Sequence, residues 1–479
     1  MRVFVFIVMF ILICSLSFAN PILNINSEEK IVYDNILSSK HSKNFIFSLK
    51  PLSNYYGAVS SYQNRVKILL NSFDKTGWYL KPVNTITLKV FYTDADYLLI
   101  EGSSGLALVK GLNLYSFEDG FFSLGKRGVF YYQLKQSINK DLKRNELFRS
   151  YFKFRMGKFS LELGKDNVNW GPGEYGLLLS NNAPPYRMIK FETDKPIEFA
   201  GKWKFSILRG WLKEDRRDVS DPNLLGLRIV WKPASFIEIG GTKTTMFGGE
   251  GRPSYKLKDY WELISSSKDN VSGKYDNDSY AAYDISVYIP TDYFDIFKIY
   301  YQEAGSDVNA IWQEEDSSEL KDGFPFIFTL LKPAYQFGLL LSKGKNIFRI
   351  EYASTADVFF VHHWYPYEGY TYKGFSLGYP YGRNIRSVLI KFVHYLSDTN
   401  WIDFKAGWYT QPADENQKEK RYYLSMEYTH FVYNKIEIKP FLRIDYIKDY
   451  DEDRLPTQFS ITNKTKLFTT TGLSISLRF

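Results

Sequence analysis

Three stretches of this 479-residue chain carry side chains suited to gripping a hydroxyl-rich ligand. Residues 164–185 read GKDNVNWGPGEYGLLLSNNAPP, combining four glycines, three prolines and four asparagines with one indole, one phenol and two carboxylates. Glycine and proline set the shape of the backbone there. Trp170-Gly171-Pro172-Gly173 forces a bend with the indole at its edge, and Ser180-Asn181-Asn182 offers a hydroxyl and two amides. An indole face stacks on the C–H face of a sugar, and an asparagine amide both donates to and accepts from neighbouring hydroxyls. The same residues equally suit a loop folded inward, its polar groups satisfied by backbone. Trp170, Tyr175, Asn181 and Asn182 are thus candidates for lining or shaping a ligand surface.

The second stretch, GGEGRP at 248–253, has three glycines that let the backbone approach something closely. Glu250 and Arg252 either pair with each other inside a tight bend or brace a ligand. No Lys-Ser/Thr pair completes the motif after these glycines, so this is not a phosphate loop. The third, VHHWYPYEGYTYKGFSLG at 361–378, holds two of the five histidines and six aromatic rings. In a strand, the adjacent His362 and His363 point to opposite faces and cannot share a metal, so neither metal nor cofactor is expected. Tyr365, Tyr367, Tyr370 and Tyr372 suit an interfacial girdle or a lined surface equally. Glu174, Glu250 and Glu351 are the carboxylates a glycosidase pair would draw on, but no spacing brings two of them together. Ser180 lacks the G-x-S-x-G setting of a nucleophile. The expectation is a protein that binds without catalysing.

The elements that must position these stretches show in the composition. Aromatic residues make up 18% of the chain, with 38 Tyr, 38 Phe and 10 Trp, yet the mean hydropathy is −0.30. Strands with one apolar and one wet face reconcile the two, as in transmembrane barrels with aromatic girdles. From about Thr85 the pattern has period two. Tyr422, Leu424, Met426 and Tyr428 alternate with Arg421, Tyr423, Ser425 and Glu427, while Leu225, Leu227, Ile229 and Trp231 alternate with Gly226, Arg228 and Val230. Phe348, Ile350 and Tyr352 likewise alternate with Ile347, Arg349 and Glu351. Charges on the second face suit a polar lumen and exclude a dry sandwich core. The final strand carries Leu473, Ile475, Leu477 and Phe479 on one face, and a carboxy-terminal Phe resembles the insertion signal of outer-membrane barrels.

Residues 1–19 read as a signal peptide: Arg2, an apolar run to Ile13, then Ser17-Phe18-Ala19 as cleavage site. Cys14 is the sole cysteine and follows Ile13 rather than the small residue lipidation wants, so the mature chain is expected without lipid or disulfide. Residues 20–78 show helical spacing, predicting a small N-terminal α-helical unit on the periplasmic side. Residues 79–479 then form an all-β transmembrane antiparallel barrel. At ~10 residues per strand plus turns this allows roughly 16 to 20 strands, with eighteen favoured. The polar stretches 265–279, 305–323 and 412–420 are expected as extracellular loops. A net charge of +8, spread along the chain, gives no reason to invoke nucleic acid.

The three motifs, in this order, resemble the capsule assembly protein Wzi family: Trp-Gly-Pro-Gly leading to Leu-Leu-Leu-Ser-Asn-Asn-Ala, then GGEGRP, then the His-led run into GYTYKGFSLG. The resemblance spans about residues 150 to 395. It implies a many-stranded barrel occluded by inward-folded segments, with an N-terminal helical bundle, acting as a surface lectin that holds capsular polysaccharide to the cell. The expected partners are capsular polysaccharide or another exopolysaccharide and outer-membrane lipid, with the protein monomeric. The rival readings are a porin or transporter lined by residues such as Arg228, Arg349 and Glu351, and a surface hydrolase.

Overall fold

The computed structural model describes residues 78–479 apart from 126, 140–142, 266–273, 306, 309–329, 332–333, 398, 413–417, 434 and 452–459. Both the predicted helical unit and the signal peptide therefore lie outside the described residues. The chain forms one closed antiparallel barrel of eighteen strands. These are β1 (Trp78–Leu99), β2 (Ala107–Leu124), β3 (Gly128–Ile138), β4 (Lys143–Met156), β5 (Phe159–Asp166), β6 (Tyr186–Thr193), β7 (Lys202–Trp211), β8 (Asn223–Ala234) and β9 (Ile237–Phe247), followed by β10 (Asp278–Tyr288), β11 (Ile296–Gly305), β12 (Ala334–Lys343), β13 (Asn346–Thr355), β14 (Ile385–Tyr395), β15 (Asn400–Gln411), β16 (Glu419–Val432), β17 (Ile436–Lys448) and β18 (Lys466–Arg478). Each strand pairs with its neighbour in sequence. The barrel closes where β1 meets β18, in register from Thr85 opposite Arg478 to Thr93 opposite Thr470. The Thr93 and Thr470 hydroxyls meet across that seam at 2.8 Å.

The period-two pattern is what the wall is made of. Ile229, Leu424, Tyr422 and Leu473 stand on the outer face, whereas Arg228, Arg421, Arg349 and Glu351 are buried inside. Outward side chains meet lipid, and closure leaves no unpaired backbone edge within it. The buried charges are matched across the inner wall. Arg228 grips Asp284 with both terminal nitrogens, at 2.8 and 3.1 Å. Lys153 and Lys190 share Glu162 and Glu192. A lone buried charge would be costly, and pairing with hydrogen bonds offsets that desolvation.

The connections fall into two classes by end. At one end lie short turns such as 157–158, 235–236 and 344–345, and at the other the long connections 167–185, 212–222, 248–277 and 356–384. The strands that flank the three polar stretches expected as loops run to them at the long end, and in outer-membrane barrels the longer loops are the extracellular ones. One short helix, α1 (Asp259–Ser265), lies within connection 248–277.

Candidate functional site in the extracellular connections

Connection 167–185 folds into the barrel. Trp170, Leu177, Leu178 and Leu179 are each at most 1% exposed, and they join a core with Phe359, Phe360, Tyr370 and Tyr280. The bend foreseen at Trp170 is real: its N–H donates to the Leu179 carbonyl at 2.9 Å, closing a loop around Gly171, Pro172, Gly173 and Gly176. The indole packs over Gly226 of β8, where a Cβ would lie 3.0 Å from the ring.

The tip of this loop reaches the far wall. Arg349 of β13 donates to the Glu174 carboxylate at 2.7 Å, and Lys391 of β14 lies 3.5 Å from it. The Glu174 N–H donates to Glu351, Lys298 to the Pro172 carbonyl at 3.3 Å, and the Leu177 N–H to Gln302 at 3.3 Å. Since β13 and β14 lie eight and nine strands on from β5, the segment bridges opposite sides of the barrel. The structure thus brings together Glu174 and Glu351, which are 177 residues apart in sequence. Both are buried and both lie against the Arg349 guanidinium, the geometry of an anchor.

The asparagines act as clamps. Asn169 donates to the Glu174 carbonyl and accepts from the Gly176 N–H, holding the bend. Asn182 donates to the Ser376 carbonyl at 3.2 Å, and Asn181 to the Gly102 carbonyl at 3.0 Å. The backbone carbonyls of Asn181 and Asn182 accept from Ser104 and Gly105 at 2.8 Å each. Of the candidate residues, Trp170, Tyr175 and Asn182 are buried and Asn181 is half-buried.

A second junction, which the sequence reading missed, centres on Arg216 in connection 212–222. Its guanidinium pairs with Glu214 and Asp218 and donates to the carbonyls of Gly369 at 2.7 Å and Thr371 at 3.1 Å. Asp218 in turn accepts from the N–H groups of Tyr367 and Glu368. Burial pushes the Glu214 carboxyl up, against the opposing pull of Arg216. The run Glu214-Asp215-Arg216-Arg217-Asp218 was the available signal, but a charge run on its own ordinarily reads as solvated surface.

GGEGRP sits at the rim. Gly248, Gly249 and Gly251 have φ of 63°, 108° and 76°, in the left-handed region that L side chains resist. Glu250 is exposed and its N–H donates to the Ser220 carbonyl at 2.8 Å. Among the described residues no ion pair joins Glu250 to Arg252. Instead Arg252 lies 3.9 Å over the Trp364 ring and donates to the Asp276 carbonyl at 2.6 Å. GGEGRP and the start of the aromatic run therefore meet at the rim, while Trp170 and Tyr175 lie buried in the core that takes in the later Tyr370, Tyr372 and Phe375.

The expectation for the histidines rested on a strand, and the structure corrects that premise. His362 and His363 lie in a turn closed by the Tyr365 N–H on the His362 carbonyl at 2.8 Å. Their rings face one another with centroids 4.2 Å apart, because turn dihedrals do not alternate side chains as a strand does. Both Nε2 atoms approach the Asp276 carboxylate, at 3.4 and 2.8 Å. Burial works to raise the Asp276 carboxyl, but hydrogen bonds from Trp364 and His363 outweigh it and hold it below the usual carboxylate range.

Eighteen strands, a lipid-facing apolar wall, a paired polar interior and long connections at one end define an outer-membrane β-barrel with an inward-folded loop. The model of the Capsule assembly protein Wzi family matches residues 99–458, more than half of the chain, and the chain belongs to that family. No curated protein matches its sequence. Among solved structures, Wzi of Escherichia coli, an outer-membrane carbohydrate-binding β-barrel involved in group 1 capsule assembly, superposes with a TM-score of 0.69 at 14% identity, covering 96% of this chain and 99% of that one. OccK3 of Pseudomonas aeruginosa gives 0.49 at 10% identity, covering 83% of this chain and 95% of its own.

Proposed function

We propose that this protein binds an exported polysaccharide, capsular or related, at the outer face of the outer membrane and holds it to the cell without chemically altering it. The observation that carries this reading is the fastening of the long connections into one hydrogen-bonded layer whose rim presents Trp364, Tyr367 and Arg252. Aromatic faces and a guanidinium suit stacking on sugars and bonding to their hydroxyls or carboxylates. Trp170, Tyr175, Asn181 and Asn182 shape this layer from beneath, and Glu250 and Arg252 brace its edge. Weak contacts suffice for a long polymer, which engages many sites at once. Family membership and the likeness to a carbohydrate-binding barrel support the same reading.

In this reading the barrel is occluded and the protein acts as a monomer in the lipid. The bridge from connection 167–185 to β13 and β14 supports occlusion, and the pairing of Arg349 with Glu174 and of Arg228 with Asp284 leaves those side chains engaged rather than lining a wet channel. The test is the polysaccharide held by cells that lack the protein, complemented with wild type or with Arg252→Ala/Trp364→Ala. Loss of polymer to the medium on deletion, and several-fold weaker retention with an inserted double variant, are expected. Unchanged retention on deletion would sink the proposal. Steady large openings of the wild type in planar bilayers would favour transport of small solutes instead.

A further inference from the structure

The histidine pair stands outside the polysaccharide reading. Asp276 stands just ahead of β10, at the end of connection 248–277, and His362 and His363 lie in connection 356–384. One ligand atom from each of the three lies within 4.8 Å of the others. We propose that Asp276, His362 and His363 form a binding site for one divalent cation of the zinc class, which fastens these two extracellular connections together.

The donor set decides the ion. Two imidazoles and a carboxylate suit zinc and its neighbours, whereas calcium and magnesium take oxygen ligands. A tetrahedral ion with bonds of about 2.1 Å holds its ligand atoms about 3.4 Å apart. The two Nε2 atoms already approach the Asp276 oxygens at 3.4 and 2.8 Å. Small side-chain rotations therefore convert the hydrogen-bonded cluster into a chelate. The turn from His362 to Tyr365 puts two neighbouring residues on one side, as a strand would not.

The surroundings orient the carboxylate. Trp364 Nε1 donates to Asp276 at 2.9 Å, the outer-shell bond that metal-ligating carboxylates ordinarily have. Arg252 lies beside the site, its guanidinium over the Trp364 ring and donating to the Asp276 carbonyl rather than to its carboxylate. The His363 side chain is 61% exposed, so ions enter from solvent and a fourth position faces outward. Three protein ligands with an open position can accept a water or an oxygen of the bound polymer.

The test is calorimetric titration of zinc chloride into the untagged protein, purified in detergent and free of polymer, beside His363→Gln, Asp276→Asn and the double variant His362→Gln/His363→Gln. One equivalent of zinc is expected on the wild type, with affinity at least about tenfold lower in each single variant and calcium failing to compete. His363→Gln changes an exposed side chain, and retention of the heat-modifiable gel shift of a folded barrel checks that the variants are intact. Absence of zinc binding by the wild type, or equal binding by the double variant, would overturn the site. Because no polymer is present, that failure is separate from failure of the polysaccharide reading.

Discussion

Glu174 and Arg349 are joined at 2.7 Å inside the barrel, although one lies in an extracellular connection and the other in the wall opposite. Removing one partner leaves the other buried without its counter-charge, which costs about 3–5 kcal/mol in such settings. Arg349→Ala and Glu174→Ala should each lower the denaturant midpoint of the detergent-solubilised protein, and the double variant should lose less than the two singles added. Strict additivity would show that the pair does not anchor the segment. Lys391 also lies against Glu174, so Glu174→Ala should cost less when made in an Arg349→Ala/Lys391→Ala background than in the wild type.

The inward segment passes too close to its neighbours to admit a methyl group at two glycines. A Cβ on Gly176 would lie 2.1 Å from the Trp170 carbonyl oxygen, and one on Gly378 would lie 2.0 Å from that of Leu177. Gly176→Ala and Gly378→Ala should displace the segment at a cost of about 1–3 kcal/mol. Neither position belongs to the wall, so the barrel should still insert. If the segment occludes the lumen, planar bilayers should show openings in both variants that the wild type lacks. Indistinguishable traces would place the barrier elsewhere.

A third junction sets a pH dependence. Glu101, in connection 100–106, takes a forked pair of bonds from Arg443 at 2.6 and 3.0 Å and a bond from the Tyr381 hydroxyl at 3.2 Å. Burial works to raise its carboxyl, but the Arg443 guanidinium, aided by Arg421, holds it below the usual value. Asp445 shares Arg443, and the Tyr423 hydroxyl lies beside that of Tyr381. A depressed carboxyl contributes its stabilisation in full above the unfolded value, about 4.3, and loses it as pH falls through the folded one. Wild-type stability from this group should be flat between about pH 5 and 8 and decline below about pH 4. Glu101→Gln should lower the urea midpoint at neutral pH by an amount that shrinks on acidification. A difference that persists unchanged into acid would remove Glu101 as the cause.

Much of the wall was legible. Arg228 beside Ile229, and Glu351 beside Ile350, sort to opposite faces because a strand has period two wherever it lies. Strand length against membrane thickness then limits the number of strands, and eighteen are found. The inward segment was legible as an exception, since its glycines, prolines and asparagines break that period. Its anchors were not: Glu174 meets Arg349 only because the barrel brings a wall residue 175 positions later across from the end of β5. The strand premise for the histidines gave way for a related reason, as local dihedrals in a turn, not sequence adjacency, set where the rings of His362 and His363 point.

The sequence by itself determined which residues face lipid, where three polar connections lie, and that the segment carrying Trp170 is no ordinary strand. These are consequences of local periodicity and backbone preference, which each short window carries whole. Only the tertiary structure decided that Trp170 packs over Gly226 within the barrel, that Arg252 leaves Glu250 for Trp364, and that Asp276 meets the histidine pair. Closure of the barrel brings together connections far apart along the chain, and no local pattern encodes which side chains will then share a contact.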